Sequence, residues 1–346
     1  MSTQRGRIQI TGFDSDSVRE REPISDWVDD IGGEAETRYV RAWRRFKRNR
    51  TAMAGLVIVA FMILLAILAR PITVSGFTIQ PISLAPYDPG ARLSLDPEIM
   101  AGTYEPPSTD HPMGTDNEAR DLFSRILYGG RYSISIGFVV VGLTLSVGVV
   151  VGSVAGYYGG WVDEIIMRLL DVIFAFPGLV LALVLVSMMG GNYWTLVLAF
   201  SLFGWAGYAR LIRGEILSVK EEEYVMAAKA LGARDRRVIL RHVVPNAIPP
   251  VIVQATLSLA TVVIGVAALG FLGVGLDAGT AEWGTMLNDM QATLVQGPGG
   301  RIPWWATVYP GAAIFIFVMS VNMIGDGIND AFDAQAGEIK TQGRGG

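Results

Sequence analysis

Cysteine is missing altogether from this chain of 346 residues, which excludes disulfides, thiol nucleophiles and thiolate metal sites. Histidine is nearly missing. His111 and His242 lie far apart and leave little material for a metal centre. Charge is scarce: 17% of residues are Asp, Glu, Lys or Arg, against about 25% in an ordinary globular domain. The formal net charge of -4 argues against nucleic acid, whose binding leaves a basic stripe as its footprint. No Gly-x-x-x-x-Gly-Lys-Ser/Thr occurs, so the chain has no phosphate-cradling loop of that kind.

What is abundant is apolar: 51% of residues are hydrophobic, and they come in long uncharged runs. A core this greasy makes lipid the natural solvent. Residues 1–37 are acidic and aperiodic, a composition expected to be a disordered tail. "RYVRAWRRFKRNR", 38–50, then packs seven Arg and Lys residues before the uncharged run 52–69. Those 18 residues rise about 27 Å as a helix, close to the hydrocarbon thickness. Such a run behind a long polar stretch reads as a retained first span, not a cleaved signal.

Eight prolines between Pro71 and Pro112 predict an extended loop. "RDLFSRILYGGR" puts Leu122, Phe123, Ile126 and Leu127 on one helical face with Arg120 and Arg125 off it, the pattern of a short interfacial helix. The run 132–162 predicts a second span, "MRLLDVIFAFPGLVLALVLVSMM" a third with a kink at Pro177, and "YWTLVLAFSLFGWAGYA" a fourth. Residues 243–276 are uncharged and, as one helix, roughly 50 Å long. They exceed one bilayer, so "PNAIPP" and "GFLGVG" are expected to break its two ends. A sixth span runs from about Trp304 to Ile324 and an acidic tail follows.

The expected fold class is all-α: a polytopic membrane protein of six transmembrane helices with both termini cytoplasmic. The boundaries are a tail over 1–37, a basic segment and first span over 38–70, and an extracytoplasmic loop with an interfacial helix over 71–131. A core of five spans covers 132–325, with a cytoplasmic loop at 210–245, and a cytoplasmic tail covers 326–346. The loop from Arg210 to Arg241 carries eight Arg and Lys residues and that from Asp277 to Arg301 carries one, so the first belongs inside.

That loop holds the one strongly polar island, "EEEYVMAAKALGARDRRVILRHVVPN", 221–246. Tyr224, Val225, Ala228 and Leu231 share a helical face. Gly232 is placed to stop that helix. A second short helix from Arg234 has Val238 and Ile239 on one side and Arg236, Arg237 and Arg241 on the other. From pattern alone, a helix resting on phospholipid heads is an equal reading. The spacing adds more. Ala227-Ala228, Gly232 and Val244-Pro245 resemble the coupling-loop signature of ABC importer permeases, with Met226 and His242 standing where the generic signature has Glu and Ile. "YVMAAKALGA" and "RHVVPN" look like the dipeptide and oligopeptide branch of that family. So do "HPMGTDNEARDLFSRILYGGRYSISIG", 111–137, where Ala119 replaces a usual Gly, and "WRRFKRNRTAMAGLVI".

The resemblance spans roughly residues 41–335 and implies a type I ABC importer permease fold in the cell membrane. This chain would not be an enzyme and would bind no cofactor or metal itself. ATP and magnesium would belong to two cytosolic ATPase subunits. A second permease subunit would complete a heterodimer, and an extracytoplasmic solute-binding protein would deliver the cargo. The ATPase-coupling residues it implies are Glu223, Tyr224, Ala227, Ala228, Gly232, Arg236, Arg237, His242, Pro245 and Asn246. The face of Tyr224, Val225, Ala228 and Leu231 would point outward and bury in a groove on the ATPase. Candidates for the translocation path are the polar residues inside spans: Asp171, Ser187, Gln254, Thr256, Ser258 and Asn322. Asp171 could gate, or could form a structural pair with Arg168 or Arg210, which is the favoured reading. Cargo could be di- or oligopeptides, with nickel or oligosaccharides as alternatives within the family. A different class, the ion-gradient-driven secondary transporter, calls for several intramembrane ionisable groups or inverted repeats, and the sequence shows neither.

Overall fold

The computed structural model describes residues 38–74, 77–95, 102–291 and 302–342. The tail expected over 1–37 therefore lies outside the described residues. Residues 38–44 belong to a separate small unit, the beginning of helix α1 (Arg38–Arg48). The rest is one unit. Asn49 opens α2 (Arg50–Leu68), its side chain accepting from the backbone N–H of Thr51 and Ala52, the usual N-cap arrangement. A two-stranded hairpin, β1 (Ile72–Val74) with β2 (Phe77–Gln80), follows.

Helix α3 (Leu122–Tyr158) runs 37 residues without a break, about 55 Å. The separate interfacial helix expected before Tyr132 does not exist: those residues are the first turns of α3. The reason is electrostatic. Arg125, expected at an interface, is fully buried, and Arg120 nearly so. Arg120 Nε donates to Asp116 at 2.7 Å and its Nη2 to Asp289 at 3.1 Å, while Arg125 donates to the carbonyls of Pro89 and Gly279. Two guanidiniums facing Asp116 and Asp289, with Glu118 at 3.1 Å from Arg120 and backbone carbonyls beside Arg125, are charges that tolerate burial. Asp121 caps α3 through Ser124 N–H and also meets His111 Nδ1 at 3.1 Å. Ala119, buried in this turn, sits at φ 55°, the left-handed region that glycine enters most cheaply.

Gly159 and Gly160, both with positive φ, end α3 and start α4 (Gly160–Phe174). After Pro177 comes α5 (Gly178–Met189), bent from α4 by 77°. The kink expected at Pro177 is thus a full break between two helices. Helix α6 (Tyr193–Val219) follows. Past the polar island, α10 (Pro249–Phe271) leads into a short α11 (Trp283–Asp289) and a last helix α12 (Trp305–Gln342). The helices α2, α3, α6, α10 and α12 are each long and apolar enough to cross a membrane, and the bent pair α4–α5 brings the candidates to six when counted as one span.

Packing fixes which ends lie together. Asn49 Nδ2 donates to Asp330 at 3.3 Å, and a Cβ on Gly327 would strike Ala52, so the start of the first span meets the end of the last. At the opposite end Arg131 of α3 donates to the carbonyls of Ala66, Ile67 and Arg70, closing the free C-terminal carbonyls of α2. Between the ends, Gly148, Gly152 and Gly156 of α3 lie against Tyr208, Ala209, Ile212 and Ile216 of α6, with no room for a Cβ at the first two and a tight fit at the third. Spacing of four places all three on one helix face, where backbones approach closely. Across the far end of α10, α11 is held by Glu282, a fully enclosed carboxyl. It accepts from Thr285 N–H at 2.8 Å and from Ser133 Oγ at 2.9 Å.

Two outcomes follow. Gly152→Ala is expected to cost about 1–3 kcal/mol, because the methyl must displace α6 backbone. Gly142→Ala on the same helix, where nothing lies within 4 Å, is expected to cost nothing; equal thermal midpoints for the two variants in detergent would be the contrary result. Burial pushes the Glu282 carboxyl above the ordinary carboxylate range, outweighing the hydrogen bonds that hold it down. Its folded pKa thus exceeds the unfolded one, so its contribution to stability is full below the unfolded value and is lost as pH rises through the folded value. Thermal midpoints from about pH 4 to about pH 8 should fall for the native chain relative to Glu282→Gln, and a gap independent of pH would refute the assignment.

Candidate coupling surface

The polar island folds as a bent arm between the fourth and fifth spans. Helix α7 (Glu223–Ala230) ends where Gly232 turns at φ 80°, as its position predicts. Ala233 N–H returns to the Ala228 carbonyl at 3.1 Å. Helix α8 (Asp235–Val238) continues through a π-helical turn over Ile239–Val243 into α9 (Val244–Ala247), with Pro245 in its first turn. Proline lacks the N–H that an interior position needs, so it is tolerated there. Asn246 Nδ2 donates to the His242 carbonyl at 2.7 Å. His242 is half-buried in this junction.

The arm has two unlike sides. Val225, Val238, Val243 and Ala247 are fully buried against Tyr208, Ile212 and Ile216 of α6 and Val251 of α10. Val225, expected on the outward face, instead anchors the arm to its own spans. The outward side carries Leu231, 89% exposed, with Tyr224, Met226 and Leu240. Glu223, Ala227, Arg236 and Arg237 are exposed beside them, and Ala228 is partly covered. A cleft of about 430 Å³ is lined by Arg234, Arg236, Arg237, Leu240 and Arg241. Among the described residues none of these four arginines has a carboxylate partner.

The intramembrane polar residues are scattered by comparison. Arg210 Nη2 meets Asp171 at 2.7 Å and stacks over Phe174 at 4.2 Å, so the structural pair is what forms, with Arg210 as the partner. Ser187 is exposed and satisfied by the Leu183 carbonyl. Gln254 reaches Ser258 at 3.3 Å, on the exposed side of α10, whereas Thr256 bonds the Ile252 carbonyl and turns toward Gly325 of α12. Asn322 is exposed on α12. Gln254 and Ser258 are brought together; the structure gives no contact joining the others. Sequence reasoning missed Tyr157, Lys220 and the Asp163–Arg213 pair, which tie α3 and α4 to α6 and the arm. The glycine repeat at 148, 152 and 156 was the available signal.

A family model described as the binding-protein-dependent transport system inner membrane component matches residues 148–337. The chain belongs to that family. A second model, the N-terminal transmembrane domain of oligopeptide transport permease C, matches residues 37–107. This member of the transport family is 39% identical over 292 residues to the dipeptide transport system permease protein DppC of Alkalihalophilus pseudofirmus, covering 84% of this chain and 88% of the relative. It is 37% identical to the oligopeptide transport system permease protein OppC of Bacillus subtilis, with the same coverage. It is also 36% identical to the glutathione transport system permease protein GsiD of Escherichia coli, again at 84% and 88%. As a family member with membrane-spanning helices, it is a multi-pass inner-membrane transport permease.

The positive φ at Gly232, with open space around it, makes conformation and not volume the constraint. Gly232→Asn, which enters the left-handed region readily, should keep the arm intact. Gly232→Val should cost about 1–3 kcal/mol locally and raise amide exchange over 223–238. Equal exchange in the two variants would contradict this.

Proposed function

We propose that the chain is one of two permease subunits of an ABC importer for di- or oligopeptides, and that the arm at 221–246 is the surface on which a cytosolic ATPase docks. The observation that carries the reading is the arm's outward side: exposed Leu231 and Leu240 beside four arginines without carboxylate partners. A groove with an apolar floor and an acidic rim complements it. Glu223, Tyr224, Ala227, Ala228, Arg236 and Arg237 would make the contact. Gly232, His242, Pro245 and Asn246 would hold its shape. The arm, the start of α2 and Asp330 share one end of the molecule, and the basic residues flanking that end mark it as cytoplasmic.

ATP and magnesium would bind to two such ATPases. Closing them would push the arm and rock the spans fused to it, a rigid-body route to alternating access. The broken span α4–α5 exposes Trp161, Val172, Phe176 and Met188, a surface suited to the second permease subunit. A solute-binding protein would do the selecting outside. Peptide cargo rests on what the related permeases are named for, and on polar groups such as Gln254, Ser258 and Asn322 that line spans without forming a tight site.

The test is reconstitution. With both ATPases, the second permease and the binding protein, di- or tripeptide uptake into proteoliposomes should require ATP. Reversing the charge of Arg236 and Arg237 together should remove the ATPases from the purified complex and lower uptake by about tenfold or more. Uptake that continues without ATP, or ATPases that stay bound to the doubly reversed variant, would overturn the proposal.

A further inference from the structure

The docking arm is bent at Gly232, so a push on its outer side could be lost by flexing between α7 and α8. One side chain outside the arm reaches both halves. Tyr157, in the last turn of α3, donates its hydroxyl to Asp235 Oδ1 of α8 at 2.7 Å. Its ring lies under Lys229 Nζ of α7 at 4.7 Å from the centroid, within cation–π range. Lys220, just before the arm, donates to the Gly156 carbonyl beside it at 3.1 Å. No arginine or lysine is paired with Asp235 among the described residues, so the phenol is the partner that fixes its carboxylate.

From Tyr157 a single unbroken helix leads to the other end of the molecule. There Asp121 caps α3, and Arg125 is bound to Asp289 of α11 and to the carbonyls of Pro89, Gly279 and Thr280. A helix gripped by ion pairs and hydrogen bonds at both ends transmits displacement along its axis with little loss. We propose that Tyr157 is a positioning residue that joins the two halves of the arm to α3, so that docking-side motion reaches the buried ion cluster around Arg125 and α11 at the far face. This rests on the coupling role proposed for the arm.

The contacts at Tyr157 can be separated chemically. Tyr157→Phe removes the tie to α8 and keeps the ring under Lys229. Asp235→Asn weakens the same tie from the other side. Both sites are solvent-accessible, so neither change leaves a buried group unsatisfied.

In the complete importer reconstituted in proteoliposomes, both variants are expected to retain bound ATPases and ATP hydrolysis. Peptide uptake per ATP hydrolysed should fall by about fivefold in each, and the double variant should be no worse than either single one. Unchanged uptake per ATP in both variants overturns the proposal and leaves arm docking intact. Additive losses in the double variant overturn it too, because the two groups would then act separately. Loss of bound ATPases in Tyr157→Phe would also overturn it, since Tyr157 would then shape the dock. Failure of docking itself shows in the Arg236 and Arg237 charge reversal, a separate measurement.

Discussion

The close seam between α3 and α6 is the constraint on which the remaining geometry depends. Gly148, Gly152 and Gly156 let two backbones come together where any side chain would collide with α6. In lipid, apolar area gives little drive for association, because the tails are as apolar as leucine, so tight packing and hydrogen bonds must supply it. That seam delivers the end of α3 to the root of the bent arm. It places Gly156 against Ile216 of α6 and, one residue on, Tyr157 beside Asp235. It also sets the distance across which Arg213 can reach Asp163 at 2.6 Å. Move α6 outward by a methyl group and each of these polar contacts stretches.

Charges follow a consistent rule. They are tolerated where backbone ends or opposite charges meet them, and such places lie at the two ends of the spans. Arg131 spends its donors on the terminal carbonyls of α2. Arg120 and Arg125 face Asp116 and Asp289. Asp171 and Asp163 each have an arginine of α6. Removing one partner from the buried set would strand a charge, at a cost of roughly 3–5 kcal/mol, far more than an exposed pair is worth. The buried cluster therefore acts as a registration device between the loop before α3 and the helix α11, while the exposed pairs tune position.

Much of this was legible from sequence. Run lengths gave six candidate spans, Gly232 the bend, and "PNAIPP" and "GFLGVG" the two breaks around α10; an arginine partner for Asp171 was expected as Arg168 or Arg210, and the structure decides for Arg210. What failed did so for stated physical reasons. Arg120 and Arg125 read as surface charges because periodicity sees only which face a residue occupies. Of the two carboxylates that meet both, Asp116 lies nearby in sequence, but Asp289 is about 170 residues away, as the pairing with Arg120 shows. The interfacial helix was invented for the same reason, since buried guanidiniums allow α3 to start ten residues before the apolar run. Val225 read as outward because an amphipathic stripe does not say whether its cover belongs to the same chain. The Tyr157 contacts were not legible at all, being made between the end of one span and a loop some 75 residues on, at Asp235.

The coupling role proposed for the arm would need unequal grips on its two sides, and the structure gives it a buried inner side and an exposed outer one. Each fully buried valine on the inner side contributes about 1.5–3 kcal/mol over an exposed one, and Val225, Val238 and Val243 do so on a contiguous surface. Ion pairs that the exposed arginines of the outer side would make with a docked partner would be worth roughly 0–1 kcal/mol each and would weaken with salt. If an ATPase docks as proposed, the arm would stay with its own spans under the load that such outer contacts could bear, and the outer side would be the one to release. In such a complex apolar Leu231 and Leu240 would raise the outer affinity without fixing direction, whereas the arginines would orient the approach. On the proposed reading, a partner attached in that way would push and withdraw repeatedly while the bend at Gly232, tied to α3 through Tyr157, kept its angle.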